Sequence, residues 1–263
     1  MGIYETLYDK RIISDLRIRR EDDVGYFFKV KRSKHLIFIP KKVTTEIAYL
    51  SGAIAGDGCF HKTESKDRKY PRVRIAITGG DIGYLKVLDK FFHNSFGAGG
   101  IIYKDKRKKS CYSLHINHRV IWLYFKRVLR LDKETLSVPP KMANKELFRH
   151  FLAGFFDTDG YRSNGVFGTM MSSKNLKFLE ELRQYSHDLH GFEFSKVRTN
   201  ILRCGDRAFG RAYMTLKKKE GARFSSIVPL MNRKYGPTQD RTGDLRCFLS
   251  VGKLQHTDVR ATS

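Results

Sequence analysis

The chain carries one unusual helix ending twice. "LSGAIAGDGCF" occupies 50–60 and "FLAGFFDTDGYRS" occupies 151–163. In each, a run of small and apolar residues stops at a carboxylate followed by glycine: Asp57-Gly58 and Asp159-Gly160. Gly52 and Gly56 are four apart and share a helix face, as do Gly154 and Thr158. Ala55 and Ala153 add small surface nearby. Small side chains let two helix backbones approach closely. If these two helices pack on each other, their carboxyl ends meet and bring Asp57 and Asp159 together. Two facing carboxylates repel, and burial makes this worse. A divalent cation removes the conflict, and the free carbonyls of a helix end attract it further. Each stretch therefore reads as half of an interhelical metal site. The glycine after each aspartate would let the chain turn out of the helix, in a left-handed conformation.

Around these endings the chain repeats one plan. After Asp57 come a basic stretch, the strand "RVRIAIT", the helix "DIGYLKVLDKFFHNSF", a "GAGG" break, the hairpin "IIYKDKRKKSCYSLHIN" and the helix "HRVIWLYFKRVLR". After Asp159 comes "YRSNGVFGTM", whose Asn164-Gly165 is a two-residue hairpin signal. The helix "SKNLKFLEELRQYSHDLH", strands within "FEFSKVRTNILRC" and "GRAYMTLKKK", and the helix "GARFSSIVPLMNRKY" follow. Each half thus runs helix–strand–strand–helix–strand–strand–helix. The divisions are an extension at 1–40, a first half at 41–136, a linker at 137–144 and a second half at 145–235. A tail at 236–263 lacks helical or strand period. Its "GPTQDRTGDL" reads like the antisense translation of a transfer-RNA gene, and its deletion is expected to leave folding intact. The extension holds the strand-like pieces "GYFFKV" and "HLIFI" and is expected to add a small sheet or hairpin to the first half.

Charge narrows the function. Lys and Arg number 51 against 27 Asp and Glu, a net +24, which suits a polyanion held through many phosphate contacts. The strands supply the surface. In "RVRIAIT", Val73, Ile75 and Ile77 point one way, and Arg72, Arg74, Ala76 and Thr78 the other. In "CYSLHIN", Ser113 and His115 oppose Tyr112, Leu114 and Ile116; in "GRAYMTLKK", Arg211, Tyr213 and Thr215 oppose Ala212, Met214 and Leu216. Lys196 and Arg198 add charge in the second half. Lys104, Arg107 and Lys108 lie at a hairpin tip, suited to phosphates. A two-stranded ribbon fits the major groove of DNA, where Arg reads guanine.

Other classes fit less well. No apolar run reaches the roughly 18 residues of a membrane span, and the amino terminus has no signal-peptide core. Cys59, Cys111, Cys204 and Cys247 lie far apart with no CxxC pair, against a zinc site or disulfide scaffold. The expectation is an intracellular monomer, in cytoplasm, nucleoid or organelle matrix, that is neither secreted nor membrane-bound.

"LSGAIAGDG" and "LAGFFDTDG" resemble the two signature motifs of the LAGLIDADG homing endonucleases in their single-chain form. The lead-ins "PKKVTTEIAYLSGAIAGDGCF" and "VPPKMANKELFRHFLAGFFDTDG" resemble the family's as well, and the similarity runs from about Lys41 to Tyr235. It implies an α+β fold: a pseudo-two-fold pair of αββαββα halves, with the motif helices at the interface and two antiparallel, saddle-shaped sheets astride DNA. It also implies cleavage of both strands of a long double-stranded DNA site, leaving short 3′ overhangs. Asp57 and Asp159 would then be catalytic and bind two or more Mg²⁺ (or Mn²⁺) ions, helped by the carbonyls of Gly56 and Thr158. Asp157, matched by Ala55 in the first motif, is not the metal-binding position.

The sequence departs from the pattern in one respect. The family often places a polar residue at the end of the second strand of each half, to order water. Here Gly79 and Met171 stand there, with Ser172 beside Met171. Accessory basic residues are expected near the last strand–helix junction: His118 or Arg119 in the first half, and Lys217, Lys218 or Lys219 in the second. Alternatives on the same scaffold are an RNA-splicing maturase, with intron RNA as partner, and a non-cleaving DNA-binding regulator.

Overall fold

Asp22 sets the first turn: its carboxylate accepts the amide hydrogens of Val24 and Gly25, at 3.0 and 2.9 Å. Strands β1 (Leu16–Glu21), β2 (Gly25–Val30) and β3 (Leu36–Pro40) form an antiparallel meander around it. In this computed structural model the described residues are 16–30, 36–64, 71–105, 111–162, 169–194 and 201–204. The expected small sheet is therefore present, with β1 as an added strand. Phe28, Ile37 and Ile39 join its inner face to the common core.

Helix α1 (Thr45–Asp57) begins at Thr44, whose hydroxyl accepts from the amide of Ile47 at 3.3 Å. From Ile47 to Gly56 every residue is buried, as in a helix packed on all sides. β4 (Gly58–Thr63), β5 (Arg72–Gly79), α2 (Ile82–Phe96), β6 (Ile101–Lys104), β7 (Tyr112–Ile116) and α3 (Arg119–Leu123) follow, and α3 continues into a π-helical turn over Tyr124–Val128. The four strands form one antiparallel sheet in the order β4-β5-β7-β6. Ile75, Ile77, Leu114 and Ile116 on its inner face meet Leu85, Leu88 and Phe92 of α2 in one apolar core. The first half thus has the expected order of elements.

The second half repeats it with α4 (Lys145–Asp159), β8 (Gly160–Arg162), β9 (Thr169–Ser172), α5 (Leu176–His190) and β10 (Ile201–Cys204), its strands pairing antiparallel in the order β8-β9-β10. The expected strand in "GRAYMTLKKK" and the closing helix lie outside the described residues. The end of the first half and the start of the linker are fastened to α5 and its N-cap. Glu181 accepts from the amide of Val138 at 2.8 Å, and the amide side chain of Asn175 donates to the carbonyl of Leu136 at 3.0 Å.

α1 and α4 pack backbone to backbone. A Cβ on Gly52 would lie 1.9 Å from the carbonyl oxygen of Phe151, and one on Gly154 would lie 2.1 Å from that of Tyr49. The small-residue faces read from the sequence are thus the faces on which the two helices meet.

One expectation fails. Gly58 and Gly160 are extended, with φ of −77° and −79°, rather than left-handed. The chain passes directly from each helix into a strand. Glycine is needed there for space: a Cβ would stand 2.4 Å from the carbonyl oxygen of Ile54, or 2.1 Å from that of Phe156.

Candidate functional site

Asp57 and Asp159 are the last residues of α1 and α4, and the close crossing brings those ends together. A Cβ on Gly56 would lie 1.9 Å from the Thr158 hydroxyl and 3.4 Å from the carboxyl carbon of Asp159. Thr158 is buried, and its hydroxyl donates back to the carbonyl of Phe155 at 2.9 Å. It therefore fills the space that Gly56 leaves. Asp57 is exposed and Asp159 half-buried, so the gap they flank opens to solvent.

A third charged residue enters this gap, and sequence reasoning did not name it. The ammonium of Lys133 donates to the carbonyl of Ala55 at 2.5 Å and also to that of Gly56. Gly58 N–H already satisfies the carbonyl of Ile54, so Lys133 takes the next two helix-end carbonyls. The route to this position is built locally. After the π-helical turn, Arg130 adopts a left-handed φ of 56°, which redirects the chain. Asp132 then pairs with Lys126 at 2.6 Å, fixing the loop. Although Lys133 is exposed as a residue, desolvation of its ammonium is the largest influence and lowers its pKa. Asp159 and then Asp57 act the other way. Nothing in the periodicity marks Lys133; the one signal is a lysine just beyond the helix that closes the first half. Arg119, the sequence candidate, is the first residue of that helix, at the strand–helix junction where a basic residue is expected.

Asp157 has a different task. It accepts a short hydrogen bond from the hydroxyl of Tyr49 on α1, across the helix interface. Burial, and next the charge of Asp157, push the Tyr84 hydroxyl well above the usual phenolic range. Asp157 thus belongs to a buried tyrosine cluster beside the gap.

The outer face of the first sheet follows the alternation read from the sequence, apart from Ala76, which is covered. Arg72, Arg74 and Thr78 are exposed on β5. Register sets Arg74 opposite His61, and Thr78 opposite Ser113. His115 lies opposite Ala76 and Ile101, and its ring centroid is 4.7 Å from that of Tyr103. Ile101 and Tyr103, 54% and 46% exposed, bring apolar surface to this otherwise polar face. Desolvation, then the charge of Arg74, lower the pKa of both His61 and His115. Lys104 is exposed but pairs with Tyr112, and so has the strand parity of the core-packed Ile102 rather than of this outer set. Arg107, Lys108, Lys196, Arg198, Arg211, Tyr213, Thr215, Lys217 and Lys218 lie outside the described residues.

Gly79 ends β5 and offers no side chain, while Met171 is fully buried. Neither presents a polar side chain; Ser172, exposed at the end of β9, is the polar group nearest in sequence to Met171. Among the described residues, no group of three or more His, Cys, Asp or Glu side chains gathers into a metal cluster. The gap offers a different donor set: two carboxylates and helix-end carbonyls, with an ammonium already drawn to the carbonyls. The carboxylates and carbonyls are hard oxygen donors, which suit Mg²⁺ or Mn²⁺ with remaining positions left to water or phosphate. Among the described residues no helix is long and apolar enough to cross a membrane.

No protein-family model matches the chain. Among solved structures it is similar to the homing endonuclease I-DmoI. Against mesophilic variants of that enzyme the identity is 19% and the TM-score 0.51, over 65% of this chain and 89% of that one. Against I-DmoI in complex with DNA and calcium the values are 19% and 0.50, over 66% and 88%. Against an I-DmoI variant with its target DNA in the presence of manganese they are 18% and 0.51, over 69% and 97%. The crossing of α1 and α4, the sheet order and this likeness together establish that the chain has the fold of the LAGLIDADG homing endonucleases, with Asp57 and Asp159 ending its two motif helices.

Proposed function

We propose that this protein is a site-specific endonuclease that hydrolyses one phosphodiester bond on each strand of a long double-stranded DNA site, leaving short 3′ overhangs. The observation that carries the reading is the meeting of Asp57 and Asp159 at the ends of two helices in backbone contact, beside a cationic side chain. Asp57, Asp159 and the carbonyls of Gly56 and Thr158 would hold two or more Mg²⁺ or Mn²⁺ ions. Such ions supply an activated water and stabilise the leaving oxygen. The chain itself orients the carboxylates through the Gly52–Gly154 crossing. Arg72, Arg74, Thr78, Ser113 and His115 would lie along the major groove. The net charge of +24 supplies the phosphate-directed attraction.

A second reading, a non-cleaving DNA-binding protein on the same scaffold, is favoured by Gly79 and the buried Met171, which leave both water-ordering positions without a polar side chain. One experiment separates the two. A binding site is selected from randomised duplexes, then incubated with the protein and Mg²⁺ or Mn²⁺. The endonuclease reading expects double-strand cleavage that Asp57→Asn and Asp159→Asn each abolish with binding retained. Tight binding without cleavage in either metal establishes the second reading instead.

A further inference from the structure

We infer that Lys133 is the resident cation of the metal-free site, and that a divalent ion gains the Gly56 carbonyl by displacing it. The inference rests on the reading of Asp57 and Asp159 as metal ligands.

Three observations lead to it. The ammonium of Lys133 donates to the carbonyls of both Ala55 and Gly56, so it sits where the carboxyl end of α1 concentrates negative potential. The Gly56 position it holds adjoins Asp159, whose carboxyl carbon would lie 3.4 Å from a Cβ placed there, so the ammonium stands beside the gap that the two aspartates flank. A monovalent and a divalent cation on the same carbonyl oxygen repel strongly in a partly desolvated gap. Finally, Lys133 is an exposed residue, so its flexible side chain can swing outward without unpacking the core.

The consequence is a built-in competition. In the metal-free protein Lys133 offsets the repulsion between Asp57 and Asp159, and this weakens metal affinity in the absence of DNA. When DNA is present, its phosphates offer the displaced ammonium a new partner. Metal binding and DNA binding are then coupled through one side chain, and by reciprocity each tightens the other.

The test uses full-length protein without DNA and Ca²⁺ as the probe, followed by calorimetry and by the shift in melting temperature. Lys133→Met keeps the stem and removes the charge. The variant is expected to bind Ca²⁺ about tenfold more tightly than wild type, within the usual range of site–site coupling. It should also melt lower without Ca²⁺ and gain more from its addition. Lys133→Arg, which keeps the charge, should resemble wild type. Unchanged or weaker Ca²⁺ affinity in Lys133→Met overturns the inference, as does an absence of binding in both proteins. If Lys133→Met does not fold, Lys133→Gln is read by the same criterion. An Asp57→Asn/Asp159→Asn double variant separates this failure from that of the metal-site reading. Wild-type Ca²⁺ affinity in the double variant defeats the metal site itself. Loss of binding there, with no gain in Lys133→Met, defeats only the competition.

Discussion

Tyr49 donates its hydroxyl hydrogen across the α1–α4 interface to the carboxylate of Asp157. The residues at the matching positions of the other helix are Phe151 and Ala55, which cannot form the reciprocal bond. The pseudo-symmetric interface is therefore polar on one side and apolar on the other. Tyr49→Phe should cost about 1.5–3 kcal/mol, because it removes a donor from a carboxylate. Tyr49→Phe/Asp157→Ala, which copies the apolar side, should recover much of that loss. Chemical denaturation of the single and double variants measures both. A single-variant cost below about 0.5 kcal/mol, the range of ordinary surface changes, would show that the bond does not hold the helices together.

The helix crossing has no room for a methyl group. In Gly52→Ala or Gly154→Ala the new Cβ meets a main-chain oxygen of the opposite helix at 1.9 or 2.1 Å. Each should cost about 3 kcal/mol or more, the upper range for overpacking. Each should also separate Asp57 from Asp159 and so suppress cleavage. Gly191→Ala provides the contrast. Its Cβ would meet nothing within 4 Å, and only the φ of 65° resists it, at about 1–2 kcal/mol. Equal losses for Gly52→Ala and Gly191→Ala would mean that the helices do not touch as described.

His61 and His115 share the outer face of the first sheet with Arg74, and their pKa values are lowered in the free protein. Phosphates placed over this face would raise both. Between the free and bound values the complex then holds more protons than the separate molecules. Affinity for DNA should accordingly rise as pH falls from about 8 to 6, toward the ordinary histidine range. His61→Gln/His115→Gln should flatten this dependence in binding titrations at fixed salt. A slope that the double variant leaves intact would place the DNA elsewhere.

Arg74 and the basic residues Arg107 and Lys108 should separate by role. Arg74→Ala is expected to cost roughly 1–3 kcal/mol on the preferred site and less on others, changing the profile over single-base variants. Neutralising Arg107 and Lys108 should weaken all sequences about equally. It should also lower the salt slope by about 0.9 for each phosphate no longer neutralised. The reverse pattern would contradict the register that exposes Arg74 and buries Ile75.

His190 makes the fold acid-sensitive. Its ring stacks between Phe148 and Phe192, at centroid distances of 6.0 and 5.2 Å. Burial, helped by Arg149 and Lys145, pushes its pKa down to about 4. Above pH 6.5 the imidazole is neutral whether the chain is folded or unfolded. As pH falls from 6.5 toward 4, the unfolded chain takes up a proton that the folded chain refuses, so stability is lost through that window. His190→Phe, which keeps the stacking, should reduce the fall in melting temperature between pH 7 and 5. An unchanged fall would assign the acid sensitivity to other groups.

Which helices meet, and which face of the first sheet is polar, could be read from the order of residues. Both rest on short-range periodicity: glycine every four residues marks a helix crossing, and alternation of Val73, Ile75 and Ile77 with Arg72 and Arg74 marks a strand. The doubled motif added the equivalence of Asp57 and Asp159, since two copies of one plan invite a symmetric pairing. Three further matters depended on the folded chain. Lys133 reaches α1 through a loop whose path depends on the left-handed Arg130 and the Lys126–Asp132 pair, and no periodic pattern encodes that path. Gly58 and Gly160 are extended because each begins a strand directly, and they are glycine because carbonyls one turn back in their own helices leave no room for a Cβ, which composition cannot distinguish from a left-handed cap. The Tyr49–Asp157 bond joins residues distant in sequence, and its partner could be identified only once the two helices were packed together.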